Sequence, residues 1–600
     1  MCTESTAAER IRKLRQQMKE NGIDLYLIPT SDFHSSEYVG EYFKTRSYIT
    51  GFTGSAGTAI VTDREAGLWT DGRYFIQAEK QLEGSGVTLF RSGVEGVPDI
   101  RTYLVTAMKP GQCLGFDGRV VTACQAKQYW AIAEAKHGRL CMTKDLVGEI
   151  WTDRPRLPQE PVWVLPEEYA GESVEDKLAR LRSTMAEKGA DVHILTSLYD
   201  IAWLLNIRGN DICHVPVVLS YVMVTRETCC LYLNRETLPL EVSDYLSVNG
   251  ITVRDYNDVY ADAESIPKDS VVLLDRTIVN SAICACLPAD VMILDEPNPT
   301  ERMKAIKNEA ELSHTRQAHI RDGVAVTKFL YWLKTNIGKE KITERSAAAY
   351  LEERRREQAH FLDLSFDTIS AYGANAAMMH YTATETSDAV LGPEGFLLVD
   401  SGGHYLDGTT DITRTIALGP LTREQKEHYT AVCRGNLNLA NAVFLYGCTG
   451  VNLDILARGP VWERRMDYKC GTGHGVGHIL NVHEGPNSIR IRAAGNGREG
   501  VLEPGMITTD EPGVYLKGQY GIRIENELLC QKDEKNRDGQ FLHFENITFA
   551  PIDLDAILPE EMTAKERREL NDYHRRVYET LSDYLTGEER DWLRENTREI

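Results

Sequence analysis

Apolar residues near the N-terminus follow a helical spacing that reappears further along the chain. The spacing i, i+3, i+7 predicts one buried helix face in each of two copies, formed by Ile11, Leu14 and Met18 and by Leu178, Leu181 and Met185. In both copies a glycine suited to a helix C-terminus follows, at Gly22 and Gly189, before a short apolar run typical of a strand. Because the offset between the copies is 167 residues throughout, the pattern predicts two similar α/β domains in tandem.

Prolines and polar residues indicate where these domains end. Prolines interrupt any helix or strand between Thr152 and Glu168, and a second break falls in DEPNPTE, which begins at Asp295. We therefore expect three domains, at residues 1–155, 156–297 and 298–600. The third domain opens with helical spacing from Glu301 to Lys334, which predicts one long helix.

Two apolar runs in the third domain each hold an aspartate. FLLVD, which ends at Asp400, has the pattern of a buried strand, and TTDITRTI, which holds Asp411, is a second run rich in β-branched residues. The turn residues SGGHYLDG between them predict that the two strands pair as a hairpin. Their two carboxylates can then converge across adjacent strands. Asp407, in the turn, is predicted to be a turn residue rather than a ligand.

Further carboxylates follow in another strand pattern. GIRIENELLC alternates so that Arg523, Glu525 and Glu527 share one face of a predicted strand, and Glu511 lies in TTDEPGVY. An arginine two residues from a carboxylate on the same face can hold that carboxylate ionised and oriented. A single acidic residue on a strand is most often exposed, but several within apolar runs favour a site. Four carboxylates and one histidine form a ligand set for two divalent cations about 3.5–4 Å apart, which suits hydrolysis by a metal-bridged hydroxide.

Histidines are concentrated in the glycine-rich stretch YKCGTGHGVGHILNVHEGP, which begins at Tyr468. His474 and His478 have the i, i+4 spacing of a helical zinc motif. Alternating glycines disfavour a helix, however, and Gly475 stands where that motif needs a glutamate. His478 is therefore predicted to be a neighbour of the site. His404 and His214 are likewise expected to be surface or hydrogen-bonded histidines.

Composition limits the class of partner. The 89 acidic and 67 basic residues give a formal charge of -22, which argues against nucleic acid and against an acidic membrane surface. Thirteen cysteines without a Cys-x-x-Cys pair argue against a disulfide framework. The N-terminus has no apolar run of signal-peptide type, and no eighteen consecutive residues are apolar. These features predict a cytoplasmic protein.

The motifs in order resemble one family. LSFDTISAYGANAAMMHY, VDSGGHYLDGTTDITRT, GTGHGVGHILNVHEGP, TDEPGVY and GIRIEN are similar to the long, three-domain type of Xaa-Pro aminopeptidase, a pita-bread metallopeptidase family. LWTDGRYFIQA and YDIAWLLNIRGNDI extend the resemblance over the N-terminal part of the chain. The resemblance implies an α/β (α+β) fold, with two tandem creatinase-N-like domains followed by a pita-bread catalytic domain. It also implies a homodimer and two divalent metal ions, with Mn²⁺ as the expected occupants.

The resemblance assigns roles to individual residues. The five implied metal ligands are Asp400, Asp411, His474, Glu511 and Glu525, with Asp411 and Glu525 as the bridging pair. His380 and His483 match histidines that contact the substrate and the developing oxyanion. Arg523 matches an arginine that pairs with a ligand carboxylate, and Arg73 matches one that reaches the substrate.

The implied reaction releases the N-terminal residue from a peptide with proline at position 2. A metal-bridging hydroxide attacks the carbonyl of the first residue, and Glu511 passes its proton to the proline nitrogen. The family usually has histidine where this chain has Cys470, which is expected to be a buried side chain rather than a further ligand. Two alternatives stay open: an X-Pro dipeptidase of the prolidase type, and a non-catalytic pita-bread binding module.

Overall fold

Residues 6–493 and 500–600 are described by a computed structural model of the chain. The chain divides into two compact units, one formed by Met1–Leu165 with Ser173–Thr300 and the other by Pro166–Glu172 with Glu301–Ile600. The predicted domain limits at 155/156 and 297/298 stay a prediction. No helix among the described residues is long and apolar enough to cross a membrane.

The first sheet is formed by the N-terminal copy of the repeat. Helix α1 (Ala7–Glu20) begins after Thr6, whose hydroxyl accepts a hydrogen bond from the Glu9 N–H at 3.3 Å, and it ends just before Gly22, which has a φ of 65°. The three apolar residues that predicted this helix are buried. The other elements are β1 (Leu25–Pro29), α2 (Thr45–Thr50), β2 (Thr58–Thr62), β3 (Ala66–Thr70), α3 (Phe75–Gln81), β4 (Thr88–Arg91), α4 (Ile100–Ala107), β5 (Cys113–Gly115), α5 (Ala123–Ala135), β6 (Arg139–Cys141) and α6 (Leu146–Ile150).

The second sheet repeats this arrangement. Two short elements come first, β7 (Trp163–Val164) and α7 (Glu167–Ala170), of which α7 belongs to the second compact unit. The second copy then consists of α8 (Val174–Glu187), β8 (Val192–Leu195), α9 (Leu198–Leu204), β9 (Ile207–Arg208), β10 (Ser220–Thr225), β11 (Cys229–Leu233), α10 (Leu240–Val248), β12 (Ile251–Asp255), α11 (Asp258–Glu264), β13 (Val271–Leu274), α12 (Ser281–Cys286) and β14 (Met292–Asp295).

The two sheets have the same topology. Their strand orders are β4-β3-β2-β1-β5-β6 and β12-β11-β10-β8-β13-β14. The strand after the repeat helix, β1 or β8, is antiparallel to one neighbour, β2 or β10, and parallel to the other, β5 or β13. The predicted tandem pair of α/β domains is therefore confirmed.

From residue 299 onward the chain forms mixed helices and antiparallel sheets. The helices are α13 (Pro299–Ala305), α14 (Glu309–Asn336), α15 (Glu344–Arg356), α16 (Arg423–Ala440), α17 (Gly450–Glu463), α18 (Ala564–Leu581) and α19 (Gly587–Asn596). The strands are β15 (Phe361–Leu364), β16 (Ile369–Tyr372), β17 (Phe396–Ser401), β18 (Gly403–Tyr405), β19 (Gly408–Thr409), β20 (Ile412–Ala417), β21 (Val443–Leu445), β22 (Gly473–Gly475), β23 (Glu484–Ile489), β24 (Ile507–Asp510), β25 (Gly513–Leu516), β26 (Tyr520–Arg523), β27 (Asn526–Asn536) and β28 (Gly539–Asn546).

Two of the sheets in this unit contain or directly flank most of the predicted site residues. One has the order β16-β17-β20, and the other has the order β21-β28-β27-β24-β22-β23. The predicted single helix from Glu301 to Lys334 is wrong, because the chain breaks into α13 and α14. Asn308 is extended, with ψ of 170°, and it forms a reciprocal capping box with Glu311 that starts a new helix.

Candidate metal centre

Strand pairing brings two of the predicted carboxylates to one place. β17 and β20 are antiparallel, as predicted, and Asp400 in β17 lies opposite Thr413 in β20. Ser401, not Asp400, ends β17, and Asp411 directly precedes β20 instead of lying within it. The two carboxylate residues are buried, with 8% and 4% of their surface exposed.

The predicted strand GIRIENELLC is in fact two strands. β26 ends at Arg523, β27 begins at Asn526, and the two strands lie in different sheets. The prediction of one strand is wrong because the backbone of Glu525, between the two strands, forms hydrogen bonds with two residues of β20. The Glu525 N–H donates to the Thr413 carbonyl at 3.1 Å, and Nη1 of Arg414 donates to the Glu525 carbonyl at 2.7 Å. Glu525 therefore stands at the junction of the sheets.

Three of the predicted ligands form one cluster. Asp411, His474 and Glu525 each offer a ligand atom, and these atoms all lie within 4.8 Å of one another. Nε2 of His474 is 3.4 Å from Oδ2 of Asp411 and 3.6 Å from Oε1 of Glu511. The geometry thus places a fourth predicted ligand, Glu511, against the same imidazole nitrogen.

The backbone orients the imidazole of His474. Nδ1 lies 2.9 Å from the carbonyl oxygen of Gly475, which can only accept a hydrogen bond, so Nδ1 carries a proton. The His474 N–H donates to Oγ1 of Thr509 at 3.0 Å, which holds the main chain at this point. In the neutral ring the lone pair is then on Nε2, the nitrogen next to the carboxylates, as a metal ligand requires.

Arg523 connects Asp400 to the rest of the cluster. Its Nη2 forms an ion pair with Oδ2 of Asp400, and its Nε donates to Oγ1 of Thr413 at 3.1 Å. The Thr413 hydroxyl in turn donates to Oε2 of Glu525 at 2.7 Å. The third nitrogen, Nη1, donates to the hydroxyl of Tyr515 at 2.7 Å. One guanidinium therefore orients two of the predicted ligand carboxylates.

Burial and crowded negative charge together determine the electrostatics of the cluster. Burial raises the pKa of Asp400 to about 6, with Arg523 opposing and Asp411 adding to the shift. Burial, followed by Asp411 and Glu511, raises the pKa of Glu525 well above its usual range. Burial disfavours the charged form of His474, but the hydrogen bond to Asp411 and the charge of Glu511 outweigh it and raise the pKa to about 9.

These residues fit divalent cations. Oδ1 of Asp400 is buried without a hydrogen-bond partner in the described part of the chain, as expected of an atom whose partner is a cation. Carboxylate oxygens with one imidazole nitrogen are donors that Mn²⁺, Zn²⁺ and Co²⁺ accept. Positive charge at this point would offset both the cost of burying ionised carboxylates and their mutual repulsion, which together raise the pKa values of Asp400 and Glu525.

Comparisons with known proteins agree with this geometry. Two stretches, residues 10–144 and 153–311, match the creatinase/prolidase N-terminal domain, residues 313–532 match metallopeptidase family M24, and residues 540–600 match the C-terminal region of peptidase M24. A probable Xaa-Pro aminopeptidase P from Talaromyces marneffei is 39% identical to this chain, over 99% of this chain and 92% of its own. The chain belongs to the Xaa-Pro aminopeptidase P family. The predicted family, fold class and enzyme class are therefore confirmed.

Two further members of the family support the assignment over the full length. A probable Xaa-Pro aminopeptidase P from Botryotinia fuckeliana is 39% identical, over 97% of this chain and 91% of its own. The crystal structure of an X-prolyl aminopeptidase from Caenorhabditis elegans matches with a TM-score of 0.94 and 34% identity, over 100% of both chains. That protein is described as a cytosolic enzyme with a di-nuclear active site.

The residues that the aminopeptidase P resemblance assigns to substrate lie in three places. The ring of His483 packs edge-on against that of His474, with ring centres 4.2 Å apart and planes at 88°. His380 is half-buried in the segment between β16 and β17. Arg73 belongs to the first compact unit and forms a two-point ion pair with Asp71, with both contacts at 2.8 Å.

Cys470, which departs from the family pattern, and His478 are both surrounded by identified side chains and backbone groups. Cys470 is half-buried and not fully buried as expected, and desolvation of its thiol, followed by the charge of Glu511, raises the pKa to about 12. His478 contacts the hydroxyl of Thr315 through Nδ1 and the carbonyl of Tyr169 through Nε2, both at 3.2 Å. Both ring nitrogens are thus engaged by the protein, and the prediction that His478 is a neighbour of the site and not a ligand stays a prediction.

The other histidines and the turn aspartate are also placed. His404 is buried, and its Nδ1 is 2.9 Å from Oγ1 of Thr409, whereas His214 is half-buried at a φ of 59°. Asp407 lies in the turn between β18 and β19, as predicted. It is nevertheless buried, and its oxygens contact three side chains at 2.8 to 3.2 Å, those of Arg321, His360 and His314.

Sequence reasoning missed the residues that support the ligands. Oε1 of Glu527 accepts a hydrogen bond from the Asp411 N–H at 2.7 Å, and Nε2 of His319 lies 3.1 Å from its other oxygen. The alternation of GIRIENELLC places Glu527 on the same predicted face as Glu525, so its position near the ligands could have been predicted from the sequence. His319 belongs to α14, far away in sequence, and no local pattern distinguishes it. Buried Glu344, which bonds Tyr381 beside His380 and none of the predicted ligands, was missed for the same reason.

Proposed function

We propose that the protein releases the N-terminal residue from peptides with proline at the second position. The observation that carries the proposal is the cluster of Asp411, His474 and Glu525 beside the Arg523–Asp400 pair, in a chain of the Xaa-Pro aminopeptidase P family. The cluster supplies the donors of a hydrolytic metal centre, and the family supplies the substrate class.

Five residues would hold two divalent cations: Asp400, Asp411, His474, Glu511 and Glu525. The di-nuclear active site described for the Caenorhabditis elegans enzyme supports this number of ions. When bound, such cations lower the pKa of a coordinated water and polarise a carbonyl oxygen. Mn²⁺ is the proposed occupant of both positions.

The remaining groups move protons and orient the peptide. Glu511, whose Oε1 lies 3.6 Å from Nε2 of His474, would accept a proton at that oxygen from the water that attacks the carbonyl carbon. It would deliver this proton to the proline nitrogen as the C–N bond breaks. His483 and His380 donate hydrogen bonds to the substrate and to the oxygen that becomes negative during attack. Arg523 keeps Asp400 ionised and in place. The substrate contact that the family resemblance implies for Arg73 stays a prediction.

Proline selectivity follows from the shape of the amide. The X-Pro bond has no N–H and carries a ring on its nitrogen, so a site shaped for that ring rejects ordinary peptide bonds sterically. We assign the enzyme to the cytoplasm and to a homodimeric state. The cytosolic Caenorhabditis elegans enzyme supports the location.

An assay of X-Pro-X peptides with Mn²⁺, Co²⁺ and Zn²⁺ tests the proposal. Release of the first residue is expected, fastest with Mn²⁺, and Glu525→Ala should abolish it. Glu545→Ala is the matched control, because Glu545 is a partly exposed glutamate of the same unit that pairs with Arg316 at 2.6 Å. Equal activity of wild type and Glu525→Ala would sink the proposal.

The same assay separates the two alternatives. A prolidase-type enzyme would prefer Ala-Pro to Ala-Pro-Pro, whereas an aminopeptidase cleaves the tripeptide at least as well. A binding module would bind no divalent cation in calorimetry and release no residue from any peptide. We expect metal binding and tripeptide cleavage, because the cluster contains both carboxylate and imidazole donors for a divalent cation.

A further inference from the structure

Glu344 is a fully buried carboxylate with four hydrogen-bond donors. It is the first residue of α15, and 0% of its surface is exposed. Oε1 accepts from the Tyr372 N–H at 2.7 Å and from Nδ2 of Asn375 at 2.9 Å. Oε2 accepts from the Tyr381 hydroxyl at 2.9 Å and from the Ala389 N–H at 3.0 Å. An ionised carboxylate has about four acceptor positions, so all of them are used.

All four donors come from one segment, residues 372–389, which connects β16 toward β17. The donors belong to residues 372, 375, 381 and 389, which are spread from the start of the segment to its end. One side chain therefore holds the whole segment in a closed loop. None of the four donors is a cation. Burying a carboxylate costs free energy, and here only hydrogen bonds from neutral donors of one segment offset that cost, which argues that the role of Glu344 is to order the loop.

This loop carries His380, and it is also fixed to the strand of Arg523. Tyr381, the residue after His380, is the hydroxyl donor to Glu344. At the other side, a short 3-10 helix of the loop, Gly373–Ala377, packs against β26. A Cβ at Gly521 would fall 1.8 Å from the Ala376 carbonyl oxygen. The loop is thus held between Glu344 and the strand that ends in the arginine partner of Asp400.

We infer that Glu344 is a positioning residue that orders the loop 372–389 and so places His380 against the substrate. The expected change in kinetics rests on the proposed function, whereas the ordering of residues 372–389 by Glu344 does not. Glu344 contacts none of the predicted metal ligands, so it acts on substrate and not on cation binding.

Kinetics of the full-length enzyme test the inference. Glu344→Ala is expected to lower kcat/KM for an X-Pro-X peptide by about tenfold or more, since displaced catalytic groups lose rate steeply. Glu344→Gln keeps one oxygen acceptor and should restore part of that loss. If Glu344 acts through His380, Glu344→Ala added to His380→Ala should lower kcat/KM by less than about twofold. If the loss of kcat/KM in the double variant equals the product of the losses in the two single variants, the inference is overturned.

Two readouts separate positioning from general destabilisation. Hydrogen exchange within residues 372–389 should rise in Glu344→Ala, while the affinity for Mn²⁺ measured by calorimetry stays within about twofold of wild type. Glu566→Ala is the matched control, because Glu566 is also buried and accepts from the Thr563 N–H at 2.7 Å, but in α18. It should leave exchange in the loop unchanged.

A milder variant covers the case in which Glu344→Ala does not fold. Tyr381→Phe removes one of the four donors and should raise exchange at residues 380–389 with a smaller loss of kcat/KM. Unchanged exchange in the loop, or lost Mn²⁺ affinity, would overturn the inference. Should wild type cleave no X-Pro peptide, the proposed function fails, yet the exchange experiment still decides whether Glu344 orders the loop.

Discussion

The carboxylate of Glu527 holds the main chain of Asp411 through a hydrogen bond of 2.7 Å to its N–H. Both residues are buried, and Asp411 is one of the proposed metal ligands. The position of a ligand carboxylate depends on its backbone, so a group that binds only that backbone still affects the metal centre. His319 lies 3.1 Å from the second oxygen of Glu527 and supports it from α14.

Glu527→Ala should therefore weaken metal binding. The buried N–H of Asp411 would lose its acceptor, at a cost of about 1–3 kcal/mol, and support for a ligand is typically worth about 10- to 100-fold in metal affinity. Titration calorimetry with Mn²⁺ measures the affinity, and urea unfolding measures the stability. Glu527→Gln, which keeps an oxygen acceptor, should remain close to wild type. If Ala and Gln variants bind Mn²⁺ equally, the hydrogen bond is irrelevant to the site.

Arg523→Lys should lose most of the enzyme activity although it keeps the positive charge. The guanidinium contacts Asp400, Thr413 and Tyr515 through three different nitrogens. A lysine ammonium on a flexible stem cannot reproduce that fork. We expect kcat/KM to fall by about 100-fold or more, as for the loss of an orienting group. Arg316→Lys is a control of the same type, and activity of Arg523→Lys within about threefold of wild type would contradict the assignment.

Glu484 follows His483 in the chain and is buried between two lysines. It forms an ion pair with Lys307, and Nζ of Lys304 lies 3.5 Å from its other oxygen. All three side chains are at most 5% exposed. Lys307→Met should destabilise the protein by about 3 kcal/mol, because it leaves a buried carboxylate with one distant cation.

A double variant separates that effect from simple loss of packing. Lys307→Met combined with Glu484→Gln removes the uncompensated charge, so urea unfolding should show the double variant to be more stable than Lys307→Met alone. If the two losses add instead, the charge of Glu484 is not what destabilises the single variant.

The elements that the sequence predicts correctly are those defined by local periodicity. The repeat helices α1 and α8 end where Gly22 and Gly189 permit a positive φ, and the β17–β20 pair follows from apolar runs separated by turn residues. The residue types and spacing also suffice to indicate a metal site. Family resemblance was needed to select His474 from its neighbours.

The errors arise where tertiary contacts override the local pattern. GIRIENELLC alternates like one strand, but Arg414 binds the Glu525 carbonyl and the ladder breaks there. The helix pattern after Glu301 is interrupted by the capping box of Asn308, a short polar signal within a long apolar repeat. Glu344 and His319 support the site from other helices, and no sequence spacing records a contact of that kind.

Acid should unfold the protein partly through His574, which is buried in α18. Its Nε2 accepts a hydrogen bond from the Ile552 N–H at 3.0 Å, so the ring is held neutral. Burial, followed by the charges of Arg414 and Arg598, lowers its pKa to about 3, whereas the unfolded value is about 6.5. Below pH 6.5 the unfolded chain therefore takes up a proton that the folded chain does not.

Stability supplied by this histidine is thus present above pH 6.5 and is lost as the pH falls toward 3, by at most about 1.4 kcal/mol per pH unit. His574→Gln keeps an acceptor for Ile552 but removes the titration, so its free energy of unfolding should fall less steeply between pH 6.5 and 4. Denaturant unfolding at a series of pH values measures the slope. Tyr573→Phe, in the same helix, leaves His574 in place and should keep the wild-type slope. A His574→Gln slope equal to that of wild type would show that another group takes up the proton.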